Sequence, residues 1–163
     1  MNTTVPTASI VRVGEGLFAD LGDHRGFAKV TAQDTNGAFL LIETEADFQG
    51  GVPPHVHYRE DETFYILSGR IVFQVGDQTL EVGPGDTVYG PRDIPHAWTV
   101  VSPEGAQLLI MFTPGENFQN FALAMAARGA VPLDAMANPA LIAEFVALTN
   151  RYGIEMLPPA DIK

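Results

Sequence analysis

The sequence contains no cysteine, which excludes disulfides, thiolate catalysis and cysteine-ligated zinc. Basic residues are scarce. Nine Lys and Arg stand against 20 Asp and Glu, and the formal charge of −11 disfavours a nucleic-acid partner. No apolar run approaches the roughly 20 residues that cross a bilayer, so no membrane partner is expected. The opening MNTTVPTASIVRV lacks a basic start followed by an apolar h-region, so no signal peptide is expected either. The absence of cysteine is compatible with a reducing compartment, and a cytoplasmic protein is the expectation. There is one tryptophan and there are four histidines. Three of those histidines fall into one arrangement.

At 163 residues and 46 % apolar content the chain is expected to form a single domain around a real core. Residues 1–8 are small and polar and read as a loose start. IVRVGEGLF (Ile10–Phe18) reads as a short edge strand broken at Gly14 and Gly16, and LGDHRGF as a loop with His24 a solvated side chain. FAKVTAQ (Phe27–Gln33) and AFLLIETE (Ala38–Glu45) flank an Asn36-Gly37 turn, the signature of a hairpin. The Gly50-Gly51 pair suits either a close backbone approach near the site or a connector. Short strands then follow to about residue 115, with Gly and Pro almost confined to the turns between them. The pattern predicts a mainly β protein of two antiparallel sheets, with a barrel core over 27–115.

Composition changes after residue 116. Phe118, Phe121, Ala122 and Met125 recur at helical spacing in NFQNFALAMAARG, with Arg128 in the last turn and Gly129 as a stop. Asn138 and Pro139 are a capping residue and a first-turn proline for a second helix, with Leu141, Phe145 and Leu148 on one face and an end at Gly153. The helical extension is therefore expected over 116–153, covering an open end of the β core, and IEMLPPADIK reads as a tail.

The chemistry concentrates between Pro53 and Trp98. His55 and His57 stand one residue apart, so an extended strand turns both imidazoles to one face. Glu62 opens the apolar run TFYILSG, and His96 follows in GPRDIPHAW. Three imidazoles and a carboxylate suit one divalent transition ion, and Fe, Ni, Mn, Co, Cu and Zn all accept such donors. Glu60 and Asp61 compete for the carboxylate role. Three consecutive acids cannot all point inward, and Glu60 and Asp61 are assigned to solvent, with Tyr58 and Arg59 on the rim.

These residues resemble the cupin superfamily. His55, His57, Glu62 and Gly69 match its first motif in spacing, and Gly85, Pro91 and His96 match its second. Gly50 and Gly51 lie closer to His55 than the usual leading glycine, Asp93 stands where an inner glycine is usual, and Val100 replaces an Asn. The resemblance implies a jelly-roll (double-stranded β-helix) barrel followed here by two helices, metal ligation by His55, His57, Glu62 and His96, and a homodimer. The pattern HxH…ExFY-L-G, the segment GPRDIPHAW and the helical extension look most similar to single-domain quercetinase-like dioxygenases. That similarity implies O₂-dependent oxidation of a flavonol-like or other enolic aromatic substrate, with Glu62 also acting as catalytic base. Phe64, Trp98, Met111, Phe118 and Phe121 are the expected substrate-pocket residues, and no Arg or Lys cluster suggests an anionic substrate. Two other readings use the same motif: a non-redox cyclase or isomerase, and a non-catalytic small-molecule-binding module.

Overall fold

The computed structural model describes residues 8–128 and 138–158. Among the described residues, eleven strands are arranged in two antiparallel sheets. They are β1 (Leu17–Asp20), β2 (His24–Val30), β3 (Leu40–Ala46), β4 (Gly51–His57), β5 (Asp61–Ser68), β6 (Ile71–Val75), β7 (Gln78–Val82), β8 (Thr87–Gly90), β9 (His96–Val100), β10 (Ala106–Thr113) and β11 (Ile154–Met156). One sheet runs β1-β2-β3-β10-β5-β8 and the other β11-β4-β9-β6-β7. They stack as a jelly roll, and among the described residues no strand belongs to both sheets, so they do not form one continuous barrel. The expected mainly β fold of two antiparallel sheets is present.

Period-two alternation sets the faces. Along β3 and β10 buried and half-exposed residues alternate, so Leu40, Ile42, Leu108, Ile110 and Phe112 enter the space between the sheets. Phe73, Trp98 and Val100 meet them from the other sheet. Helix α1 (Glu116–Arg128) follows β10, and α2 (Pro139–Arg151) precedes β11. The Asn138 side chain accepts from the Ala140 N–H and caps α2 as expected, and Gly153 takes φ +72 after its end.

Several boundaries differ from the sequence reading. Residues 10–16 form no strand, and LGDHRGF is not wholly a loop: β1 runs to Asp20 and β2 begins at His24. The β2–β3 connection is longer than a tight hairpin. Asp34 Oδ2 accepts from the Thr31 N–H at 2.9 Å and hydroxyl at 2.6 Å, winding 31–37 into successive turns, with Asn36 and Gly37 at positive φ. Part of the expected tail is β11, which pairs with β4 through Ile154–His57 and Met156–His55. Three residues are too few to show a period, so only tertiary pairing reveals this strand. The expected stop at Gly129 lies outside the described residues.

Two turn positions shape the site. A Cβ on Gly51 would stand 2.1 Å from the Trp98 carbonyl oxygen, so the glycine lets β4 lie against β9. Asp93 adopts φ +66, the left-handed conformation that an inner glycine would supply, and its N–H donates to the His57 carbonyl at 2.8 Å.

Candidate metal centre

His55 and His57 project from β4 on one face, Glu62 from β5 across the sandwich, and His96 from β9, where it is paired with His55. All four are buried, at 1–4 % exposure. One donor atom from each lies within 4.8 Å of the others. Two donors on opposite sides of one ion stand about 4.2 Å apart at typical metal–nitrogen lengths. The cluster is therefore within reach of a single ion after small side-chain adjustments.

The outward nitrogen of each ring is already committed. His55 Nδ1–H donates to the Pro53 carbonyl (2.9 Å), His96 Nδ1–H to the Ile94 carbonyl (3.1 Å) and His57 Nδ1–H to Glu60 Oε1 (3.0 Å). That pattern leaves every Nε2 as the inward donor, the tautomer a metal ligand requires. Glu62 Oε2 lies 3.7 Å from His55 Nε2 and 3.5 Å from His57 Nε2, and it contacts His96 Nε2 directly. Burial opposes charge on Glu62, but the facing imidazoles outweigh it and hold the carboxyl well below its ordinary value. His96 is pushed up: burial opposes its charged form, and the bond and charge of Glu62 prevail. His55 moves down because burial dominates there.

The Glu60 assignment requires correction. Glu60 is fully buried, not solvent-facing. Besides accepting from His57, its carboxylate accepts from Asn117 Nδ2 at 3.2 and 3.0 Å, and Asn117 Nδ2 also donates to the Tyr152 carbonyl at 2.7 Å. A ring donor, the acid behind it and both helical segments are thereby joined. Asp61 does face the rim, where it pairs with Arg92 at 2.9 Å. Tyr58 is 48 % exposed and Arg59 is exposed, as expected of rim residues.

His55, His57 and Glu62 open onto a cavity of about 250 Å³. Its walls are apolar: Ile42, Val52, Trp98, Ile110 and Phe112 from the sheets, with Phe118, Phe121, Ala122 and Met125 from α1 and Phe145 from α2. The Phe118 ring stacks on Phe112 at 3.5 Å and lies 5.7 Å from His57. No arginine or lysine among the described residues lines the cavity. Of the expected pocket residues, Trp98, Phe118 and Phe121 line it. Phe64 packs in the core, 4.8 Å from Phe73. Met111 is half-buried on the opposite face of β10, beside Leu41 and Thr63. The solvated-loop assignment of His24 is also corrected, because the residue belongs to β2 and lines the cavity.

The family model for the cupin domain matches residues 45–112, the segment that carries all four donors. An uncharacterised protein of Streptomyces coelicolor is 34 % identical over 85 residues, covering 52 % of this chain and 77 % of that protein. This chain belongs to the cupin superfamily. Quercetin 2,3-dioxygenase of Bacillus subtilis is 26 % identical over 93 residues, which cover 57 % of this cupin but only 28 % of the dioxygenase. An RmlC-like cupin from Shewanella frigidimarina superposes with a TM-score of 0.58 at 18 % identity, over 70 % of this chain and 99 % of that one, and shows the shared fold.

Proposed function

We propose that this cupin is a metal-dependent dioxygenase of the quercetinase-like type, acting on an enolic aromatic substrate. The observation that carries the reading is a buried three-histidine, one-carboxylate donor set opening onto a largely apolar cavity that no arginine or lysine among the described residues lines. The partial similarity to quercetin 2,3-dioxygenase supports the same substrate class. His55, His57, Glu62 and His96 would hold one divalent transition ion, which when bound supplies a Lewis acid and a meeting point for substrate and dioxygen. The chain's own part is to bind, orient and deprotonate. Trp98, Phe112 and Phe118 present flat apolar surfaces for an aromatic ring, and α1 covers the cavity with Phe121 and Met125. Glu62, ionised and buried, accepts the proton of the substrate hydroxyl and leaves an enolate oxygen facing the imidazoles. The exclusion of water by the aromatic walls protects that enolate.

The test loads the protein with each candidate metal and follows oxygen uptake with flavonols. Glu62→Gln should keep the metal while turnover falls by about 10²-fold, the scale of losing a general base. No oxygen uptake with any metal would refute the reading, and turnover without oxygen would establish the cyclase or isomerase alternative. The proposal includes a homodimer. Tyr65, Leu67 and Tyr89, 41–58 % exposed on the outer face of the six-stranded sheet, offer an apolar surface for it. Light scattering that shows a monomer at micromolar concentration would exclude that assembly.

A further inference from the structure

A polar group that is not one of the four donors also lines the apolar cavity. His24 begins β2, with Gly26 and Ala28 following it on the inward face, and its ring packs edge-on against Trp98 at 5.7 Å. Asp23 Oδ1 accepts the His24 Nδ1–H at 2.8 Å, and Asp23 Oδ2 accepts the Gly51 N–H at 3.2 Å. The Asp23 carbonyl in turn accepts from the Asp47 N–H at 2.9 Å. The acid is therefore fixed at both oxygens and by its backbone. Burial opposes its charge, but His24 and the Gly51 N–H outweigh burial and hold its carboxyl below the ordinary value.

This pairing decides what the imidazole can offer. In the tautomer that commits Nδ1–H to Asp23, the ring's lone pair lies on Nε2. Nε2 has no partner among the described residues, and no buried side-chain nitrogen or oxygen among them is left unpaired, so Nε2 is not sealed off, and His24 is one of the cavity's lining residues. The same cavity is lined by Ala19, Leu21, Gly26 and Val52. A dry ligand that buried this nitrogen without pairing it would bind poorly, whereas a hydroxyl donor would satisfy it.

We propose that the Asp23–His24 pair is a second substrate anchor, in which His24 Nε2 accepts a hydrogen bond from a hydroxyl remote from the oxygen that faces the His/Glu cluster. The ligand class is thus an aromatic compound with two oxygen functions, one of them a free hydroxyl. The inference rests on the cavity being a substrate site, not on the reaction being an oxygenation.

The test uses zinc-loaded protein, which binds without redox turnover. Fluorescence of the sole tryptophan, Trp98, is the readout because it touches both the cavity and His24. The probes are 3-hydroxyflavone and a set of its analogues, each with one further hydroxyl at a different ring position. In the wild type at least one analogue should bind about tenfold more tightly than 3-hydroxyflavone, the scale of one good hydrogen bond. His24→Phe should abolish that preference while metal content holds and 3-hydroxyflavone affinity moves much less. Asp23→Asn should weaken the preference by freeing the tautomer, and His24→Gln provides a second variant if the phenylalanine does not fold. A preference identical in wild type and His24→Phe, equal loss of every probe, or no preferred analogue in the wild type would overturn the proposal. Oxygen uptake is measured separately. Hydroxyl preference without oxygen uptake would reject the dioxygenase reading and keep this anchor, and the opposite pattern would do the reverse.

Discussion

Replacing Glu60 by Gln separates a structural acid from one that tunes the metal site. The side chain is fully buried, and both of its oxygens are acceptors: Oε1 for the His57 Nδ1–H, and both for Asn117 Nδ2. A glutamine of the same size offers one acceptor and one donor. If its oxygen faces His57, its NH₂ meets the Asn117 NH₂; if it turns over, it meets the His57 N–H. Either way a buried donor loses its partner, at a cost of about 1–3 kcal/mol in stability. The charge-assisted bond behind His57 also weakens, so Nε2 becomes a poorer donor. Loss of such an outer partner lowers metal affinity by about 10–100-fold, equivalent to roughly 1.4–2.7 kcal/mol. Chelator competition with zinc or nickel measures the affinity, and thermal unfolding of the chelated protein measures the stability. Asn117→Ala is the control, because it costs stability but leaves Glu60 on His57 and should keep most of the metal affinity. A folded Glu60→Gln protein with affinity within twofold of wild type would refute the argument. So would an Asn117→Ala variant that loses metal as severely.

Asp61→Asn should retain its metal and lose less than about 1 kcal/mol, because the Asp61–Arg92 pair lies on the rim with side chains 21 % and 40 % exposed; metal analysis that found the variant empty would show that Asp61 is a ligand. Phe118→Ala with Phe121→Ala should weaken binding of an aromatic probe at least tenfold, from about 1.5–3 kcal/mol per buried ring, while chelator competition shows unchanged metal affinity. Metal affinity should climb with pH, since the proton that Glu62 holds on His96 must leave before Nε2 can bind a metal, and proton release on metal addition measures this. In the chelated protein the signs differ between the partners. The stabilisation from raised His96 is full below about 6.5 and fades as pH rises through the elevated value, whereas that from depressed Glu62 is present above 4.5 and fades as pH falls through its lower one.

The legible features in the sequence were those carried by local periodicity or fixed spacing. His55 and His57 share a face because strand side chains alternate, and Phe118, Phe121, Ala122 and Met125 line the cavity because helical side chains recur every three to four residues. Met111 failed as a pocket residue by the same rule. Ile110 and Phe112 alternate with it and line the cavity, so Met111 must face the other way. Glu60 was misassigned although alternation carried a hint. Counting back from Glu62 puts Glu60 on the same side and Asp61 opposite, but residues 58–60 bend between β4 and β5, where strand period has no authority.

His24 and β11 were hidden for a different reason. Their roles depend on partners remote in sequence: His24 on Trp98, and Ile154–Met156 on the donor strand β4. The residues that can touch a metal carry a local signature because one short strand must present two of them. The residues that hold those ligands in place come from wherever the fold delivers a matching acceptor or edge. Glu60 does so by a turn, Asn117 by a helix after β10, and β11 by a return of the chain after α2. The donor set is therefore the part of this site that spacing alone identifies, while the groups that tune its basicity and its cavity depend on tertiary packing.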